Sequence, residues 1–315
     1  KTGFEDLFSP TVEVIKKIII DVVGDTIAGS SAEGSEMLGD LVKGWGGKEE
    51  GTILVYGGKA PAHHAAFVNC TMARARDLDD VHEMGGGHLG ATFVPTAFLL
   101  AEYARRAISG KELILAIALG ADLSCRLRSA LTIQRGWVAE TFAPLGVVAM
   151  GAKLLGFSKE QMINGMGIAY SQCSCNSQGV VDGAISVRLQ QGIGAKAGIL
   201  AAILAERGFT GARNVLEGAY GFYPLYARNE YNPEVITDQL GKRFEIVNTS
   251  IKPYPCCKHT HIPIYATLQM LKEYSIKPGE LKQVIVYTNS AAYTKGVSGV
   301  NKYNPRSTMD AQFSI

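Results

Sequence analysis

No apolar stretch in the 315-residue chain approaches the ~20 residues that a membrane-spanning helix needs. An excess of one charge sign is also missing: 31 Lys and Arg balance 29 Asp and Glu, for a net charge of +2. Such a balance argues against nucleic acid or an anionic membrane as the main partner. The six cysteines include no C-x₂-C pair, so a zinc site is not expected. A reduced, cytoplasmic chain follows from that usage and from the opening KTGFEDLF, which lacks a basic-then-apolar leader. Nucleotide signatures are absent too: there is no G-x-x-x-x-G-K-[ST], and no G-x-G-x-x-G after a convincing strand. Gly-x-Ser-x-Gly does not occur, and the cysteines offer no iron–sulfur set. No cofactor and no metal are therefore expected.

What remains is a chain able to bury a large core, 47% hydrophobic and only 19% charged. Its first two-thirds reads as helices punctuated by glycine. Ser9-Pro10 opens one, with Ile15, Ile18, Ile19, Val22, Val23 and Ile27 at helical spacing and Gly29 to close it. A second runs from Pro61 to Leu78, and others span 92–108, 111–131 and 194–207. Ser158 and Gln161 form a capping box ahead of 162–169. Many of these segments are rich in small residues, which predicts close packing in a bundle. Near residue 243 the texture changes. Residues 244–251 and 283–288 read as strands around a helix at 260–274. The expected fold is mainly α: a large all-helical domain over 1–242 and a smaller α/β domain over 243–315.

All six histidines fall in pairs, His63/His64, His82/His88 and His259/His261. None has the i, i+4 spacing of helical zinc ligands, and His63/His64 reads as mid-helix with divergent side chains. The segment DLDDVHEMGGGH over 77–88 is the most informative. Asp77 and Asp80 share a face if the helix continues, and the glycines permit close approach of a ligand. A carboxylate beside His88 would fix its tautomer. The alternative is an acidic helix end with a flexible loop. In SIKPYPCCKHTH over 250–261, Lys252, Lys258, His259 and His261 gather before a helix, either as an anion site or as a solvated basic turn. Arg188, in a stretch poor in charge, could clamp a carboxylate.

Taken together, IIIDVVGDTIAG, ARDLDDVHEMGGGH, GKELILAIALGADLSCRL, GAKLLGFSKEQ, LAERGFTGARNVLEGAYGFY, SIKPYPCCKHTH and DAQFSI, in this order, resemble the MmgE/PrpD family. The resemblance implies a helical domain with an α/β lid, a homodimer, and metal-free chemistry on small polycarboxylates in the cleft between them. Family members continue beyond DAQFS, so it also implies a lid incomplete at the C-terminus. By motif, Asp77 and His88 are similar to the family's carboxylate–histidine pair, Lys252 to its lid lysine and Tyr293 to its substrate-facing tyrosine. Three positions depart from the pattern of the decarboxylases in the family. Residues 137–141 read WVAET where a second histidine is expected, Val187 replaces a lysine, and Cys257 replaces a histidine.

The resemblance therefore implies a cofactor-independent lyase, a dehydratase of a 2-methylcitrate-like polycarboxylate. Asp77 would orient His88 for proton transfer, and Arg188, Lys252 and Lys258 would hold carboxylates, with Asp80 and His261 beside them. Two alternatives stand. One is an isomerase or epimerase similar to iminodisuccinate epimerase, with Tyr293 or Asp80 as the second acid/base group. The other is an inactive member acting as a binding partner.

Overall fold

The computed structural model describes residues 2–85, 87–133, 136–288, 293, 304–305 and 307–313. It is mainly α. Helix α1 (Ser9–Ser30) carries Pro10 in its first turn, where the missing N–H costs no intrahelical bond. It buries Ile15, Ile18 and Val22, while Ile20, Val23 and Ile27 face outward. Helix α2 (Ser35–Trp45) leads into a short antiparallel pair, β1 (Gly51–Thr52) and β2 (Lys59–Ala60). Then come α3 (Ala62–Arg74), β3 (Val81–His82), α4 (Leu89–Tyr103) and α5 (Gly110–Ser129). The bundle continues with α6 (Ala143–Leu155), α7 (Lys159–Tyr170), α8 (Gln178–Val181) and α9 (Leu189–Glu206). Short helices α10 (Phe222–Ala227) and α11 (Glu234–Thr237) precede β4 (Thr249–Ser250), α12 (Lys258–Glu273) and α13 (Thr308–Gln312). Among the described residues no helix is long and apolar enough to cross a membrane.

Small residues set how closely these helices approach. A Cβ on Gly120 would lie 2.8 Å from the Gly146 carbonyl oxygen, and one on Gly146 would lie 2.5 Å from that of Gly120. Neither position has room for a side chain, so α5 and α6 meet backbone to backbone. One large apolar core joins α1, α3, α4, α5, α6 and α9; a second gathers Phe142, Phe222 and Tyr223. The capping box at Ser158 and Gln161 starts α7 as expected, and a second one, Ser109 with Glu112, starts α5.

Four expectations are corrected. Helix α3 stops at Arg74 rather than reaching Leu78. Asp77 adopts a left-handed φ of 54°, which no helix interior tolerates. His63 and His64 lie at the start of α3, not mid-helix, and their rings meet at 4.2 Å between centroids. Half of 244–251 is a 3₁₀ turn, Glu245–Asn248, and only Thr249–Ser250 pairs, antiparallel to Val81–His82. Side chains satisfy the backbone there: Asp122 Oδ1 accepts from the Glu245 N–H, and Arg126 donates to the Arg243 carbonyl. Phe244 and Ile246 pack into the main helical core. Residues 283–288 carry no ladder among the described residues, and Val284, Ile285 and Tyr287 are exposed. β-Branched composition alone does not make a strand without a partner to pair with.

Candidate active site

The end of α3 builds the site. The Asp77 N–H still bonds the Arg74 carbonyl, but the left-handed residue then turns the chain out of the helix. Asp77 and Asp80 therefore do not share a helical face. Asp77 and Asp79 converge instead, and Arg74 lies between them, donating to Asp77 Oδ1 at 2.6 Å and to Asp79 Oδ1 at 3.3 Å. Lys252 arrives just after β4 and donates to the same Asp77 Oδ1 at 2.6 Å and to the Asp77 carbonyl at 3.0 Å. The pairing of β3 with β4 brings these sequence-distant segments together.

His88 caps the start of α4. Its Nδ1 lies 3.0 Å from Asp79 Oδ2 and 3.1 Å from the Asp80 carbonyl oxygen. Both neighbours are acceptors, so Nδ1 carries the proton, and Nε2 of the neutral ring is left to exchange one. The expected carboxylate–histidine pair therefore exists, but Asp79 makes the contact rather than Asp77. Glu140 supports the loop from the other side: its Oε1 accepts from the His88 N–H at 3.3 Å and from Gln191 Nε2 at 2.9 Å.

The charges are buried, and their pKa directions follow from their neighbours. Burial alone would raise Asp77, but Arg74 and Lys252 outweigh it and hold the carboxyl well below the usual range. Asp79 is lowered in the same way against burial, by His88 and Arg74. Asp80 goes the other way. Burial and the charge of Asp79 raise it far above an ordinary carboxyl, although Gly90 N–H donates to its Oδ1 at 2.8 Å. Gly90 has to be glycine, because a Cβ there would sit 2.2 Å from that oxygen. Behind Asp80 on α1, burial and neighbouring carboxylates raise Asp25 to about 8, and burial raises Asp21 to about 6.

A cleft of about 1390 Å³ opens beside this cluster, between the helical body, α12 and the 281–288 segment. Asp77, His88, Lys252 and Lys258 line it. The other expected site residues do not. Asp80 is fully buried behind His88, and Arg188 turns away to Gln312 Oε1 at 3.1 Å. His261 folds back, its Nε2 3.1 Å from the Cys256 carbonyl oxygen. Tyr293 is 66% exposed and is not among the lining residues. Lys258 pairs with Glu83. Arg74, Asp79, Arg128 and Glu140 are the site residues that sequence reasoning missed. Arg74 could have been found, since ARDLD places a cation next to the acidic run. Arg128 and Glu140 come from distant turns and carry no local signal.

Asp77, Asp79 and His88 bring one ligand atom each within 4.8 Å of one another, close enough to hold a metal ion. Helical spacing does not show this cluster, because the chain leaves the helix at the left-handed Asp77. The donor set does not suit a cation as it stands, since Arg74 and Lys252 already occupy Asp77 Oδ1 and Arg74 occupies Asp79 Oδ1. Asp77 Oδ2 makes no hydrogen bond and Asp79 Oδ2 faces His88 Nδ1, but the two carboxylates are already matched in charge by two organic cations, which leaves little negative charge for a divalent ion.

A helical bundle with an imidazole, buried carboxylates and cations on one cleft is the layout of an acid–base site. The chain belongs to the MmgE/PrpD family, whose N-terminal domain profile matches residues 1–234. It is 28% identical to a cis-aconitate decarboxylase of Aspergillus terreus over 86% of this chain and 58% of that protein. Against a cis-aconitate decarboxylase-like protein of Aspergillus oryzae the figures are 25%, 85% and 59%. Against the human cis-aconitate decarboxylase they are 26%, 92% and 63%. The chain thus spans about three-fifths of the length of these relatives.

Proposed function

We propose that the protein is a cofactor-independent lyase acting on a small polycarboxylate, by dehydration of a 2-methylcitrate-like hydroxy acid. The observation that carries this reading is the placement of His88, with Nδ1 fixed by Asp79 and the Asp80 carbonyl, on a cleft that Lys252 also lines. His88 Nε2 takes the proton from the carbon α to a carboxylate. The freed electron pair forms the C=C bond as the neighbouring C–O bond breaks, and the departing hydroxyl takes the proton that His88 has just accepted and leaves as water. Lys252 lies where it can steady the charge that builds on the substrate carboxylate. General acid–base transfer of this kind supplies ~10²–10⁴-fold, so positioning by the cations has to supply the rest. In this reading the segment from residue 243 onward serves as the lid, and the working form is a homodimer.

Decarboxylation is the second reading, because the relatives named above are cis-aconitate decarboxylases. Against it stand the three departures from the decarboxylase pattern, Trp137, Val187 and Cys257. All three positions line the cleft, so they bear on the substrate directly. An epimerase needs a second acid/base group opposite His88, and neither Asp80 nor Tyr293 lines the cleft. The test is incubation with 2-methylcitrate, citrate, cis-aconitate and iminodisuccinate in deuterated water, followed by NMR. Water loss supports the proposal. Release of CO₂ favours the second reading, exchange without net loss an isomerase, and silence on all four an inactive member.

A further inference from the structure

A polyanionic substrate needs net positive charge in its cleft, and the cations at the His88 end do not supply it. Arg74 is matched by Asp77 and Asp79, Lys252 by Asp77, and Lys258 by Glu83. Two buried carboxylates against two buried cations leave that cluster near neutral.

Arg128 is different. It lies in the last turn of α5, lines the same cleft and is only 8% exposed. Its Nε has no hydrogen-bond partner. No carboxylate among the described residues forms an ion pair with it; the acid nearest in effect is Glu140, whose Oε1 is already taken by His88 and Gln191. A buried guanidinium with an unmade donor costs free energy unless a ligand brings the acceptor. Its planar fork matches the two oxygens of a carboxylate.

We propose that Arg128 is the specificity clamp of the cleft, taking a second carboxylate of the substrate while the reacting end lies at His88 and Lys252. This rests on the polycarboxylate reading above and adds which residue selects for the extra carboxylate. Arg188 does not fill that role: its Nε is also without a partner, but its guanidinium already bonds Gln312 and it does not line the cleft.

Calorimetric titration of the whole chain with tricarballylate and with glutarate, the same skeleton lacking one carboxylate, is the test. Wild type should prefer tricarballylate. Arg128→Met should weaken tricarballylate by roughly 10–100-fold, leave glutarate within about 3-fold, and so erase the preference. Its melting temperature should hold or rise, because an uncompensated buried charge has been removed. A residue that merely braces the fold would lose stability instead. Arg128→Lys keeps the charge without the fork and should fall between the two; it decides the matter if the methionine variant does not fold. Wild-type preference retained in the folded variants would overturn the clamp and leave the lyase reading standing. Failure of wild type to bind either acid would overturn the polycarboxylate reading, and the clamp with it.

Discussion

Asp79 Oδ2 lies 3.0 Å from Nδ1 of His88, and the same carboxylate takes Arg74 on its other oxygen. Asp79 thus ties the proposed acid/base group to the buried cations. Asp79→Asn keeps the shape and removes the charge. The Asp80 carbonyl would still hold the tautomer, but the imidazolium would lose its neighbouring anion. Turnover should fall by roughly 10–100-fold. Unchanged turnover in the folded variant would show that Asp79 plays no electrical part.

Asp77 should behave as a stability residue first. Removing its charge leaves Lys252 and Arg74 buried against one fewer carboxylate. Breaking a buried pair in this way costs on the order of 3–5 kcal/mol. Asp77→Asn should therefore melt well below wild type at pH 7. The pH dependence follows in sign. The folded-state pKa values of Asp77 and Asp79 are depressed, so their contribution is present above the ordinary carboxyl range and is lost as pH falls through it and below. Denaturant titrations between pH 3 and pH 7 should show wild type losing stability toward acid and Asp77→Asn losing less. Parallel curves would refute this.

Asp25 predicts the opposite slope. Its pKa is raised to about 8 in the folded protein, so the unfolded chain releases its proton first. The penalty starts above the ordinary carboxyl pKa, grows as pH rises, and levels off above about 8. Asp25→Asn should gain stability over wild type with rising pH, by an amount on the order of a few kcal/mol at pH 8. A gain that is flat from pH 4 to pH 8 would contradict it.

The bundle was legible because its helices announce themselves locally. Pro10, the Ser158–Gln161 box and the apolar period of α1 each act within a few residues. The 77–88 segment was legible as chemistry but not as geometry. One left-handed residue, Asp77, decides whether Asp79 or Asp80 shares the site, and nothing in DLDD marks which aspartate turns. Arg128 and Glu140 reach the cleft only through the packing of the 139–142 turn against both α5 and α9, which is a tertiary fact. The 244–251 segment misled for a related reason. Its β-like composition is overridden by Asp122, which takes the Glu245 N–H, and by Arg126, which holds the Arg243 carbonyl just before it, both from a helix more than a hundred residues away.

The central claim is that His88 moves the proton. Its most direct test is deuterium exchange or product formation on 2-methylcitrate in deuterated water, followed by NMR for wild type and His88→Gln, with melting temperatures measured alongside. The account predicts at least about a 100-fold loss of both exchange and turnover in His88→Gln with melting nearly unchanged, since His88 sits at a loop end and contributes little core. Near-full exchange in a folded His88→Gln protein would contradict it and leave His88 a structural residue.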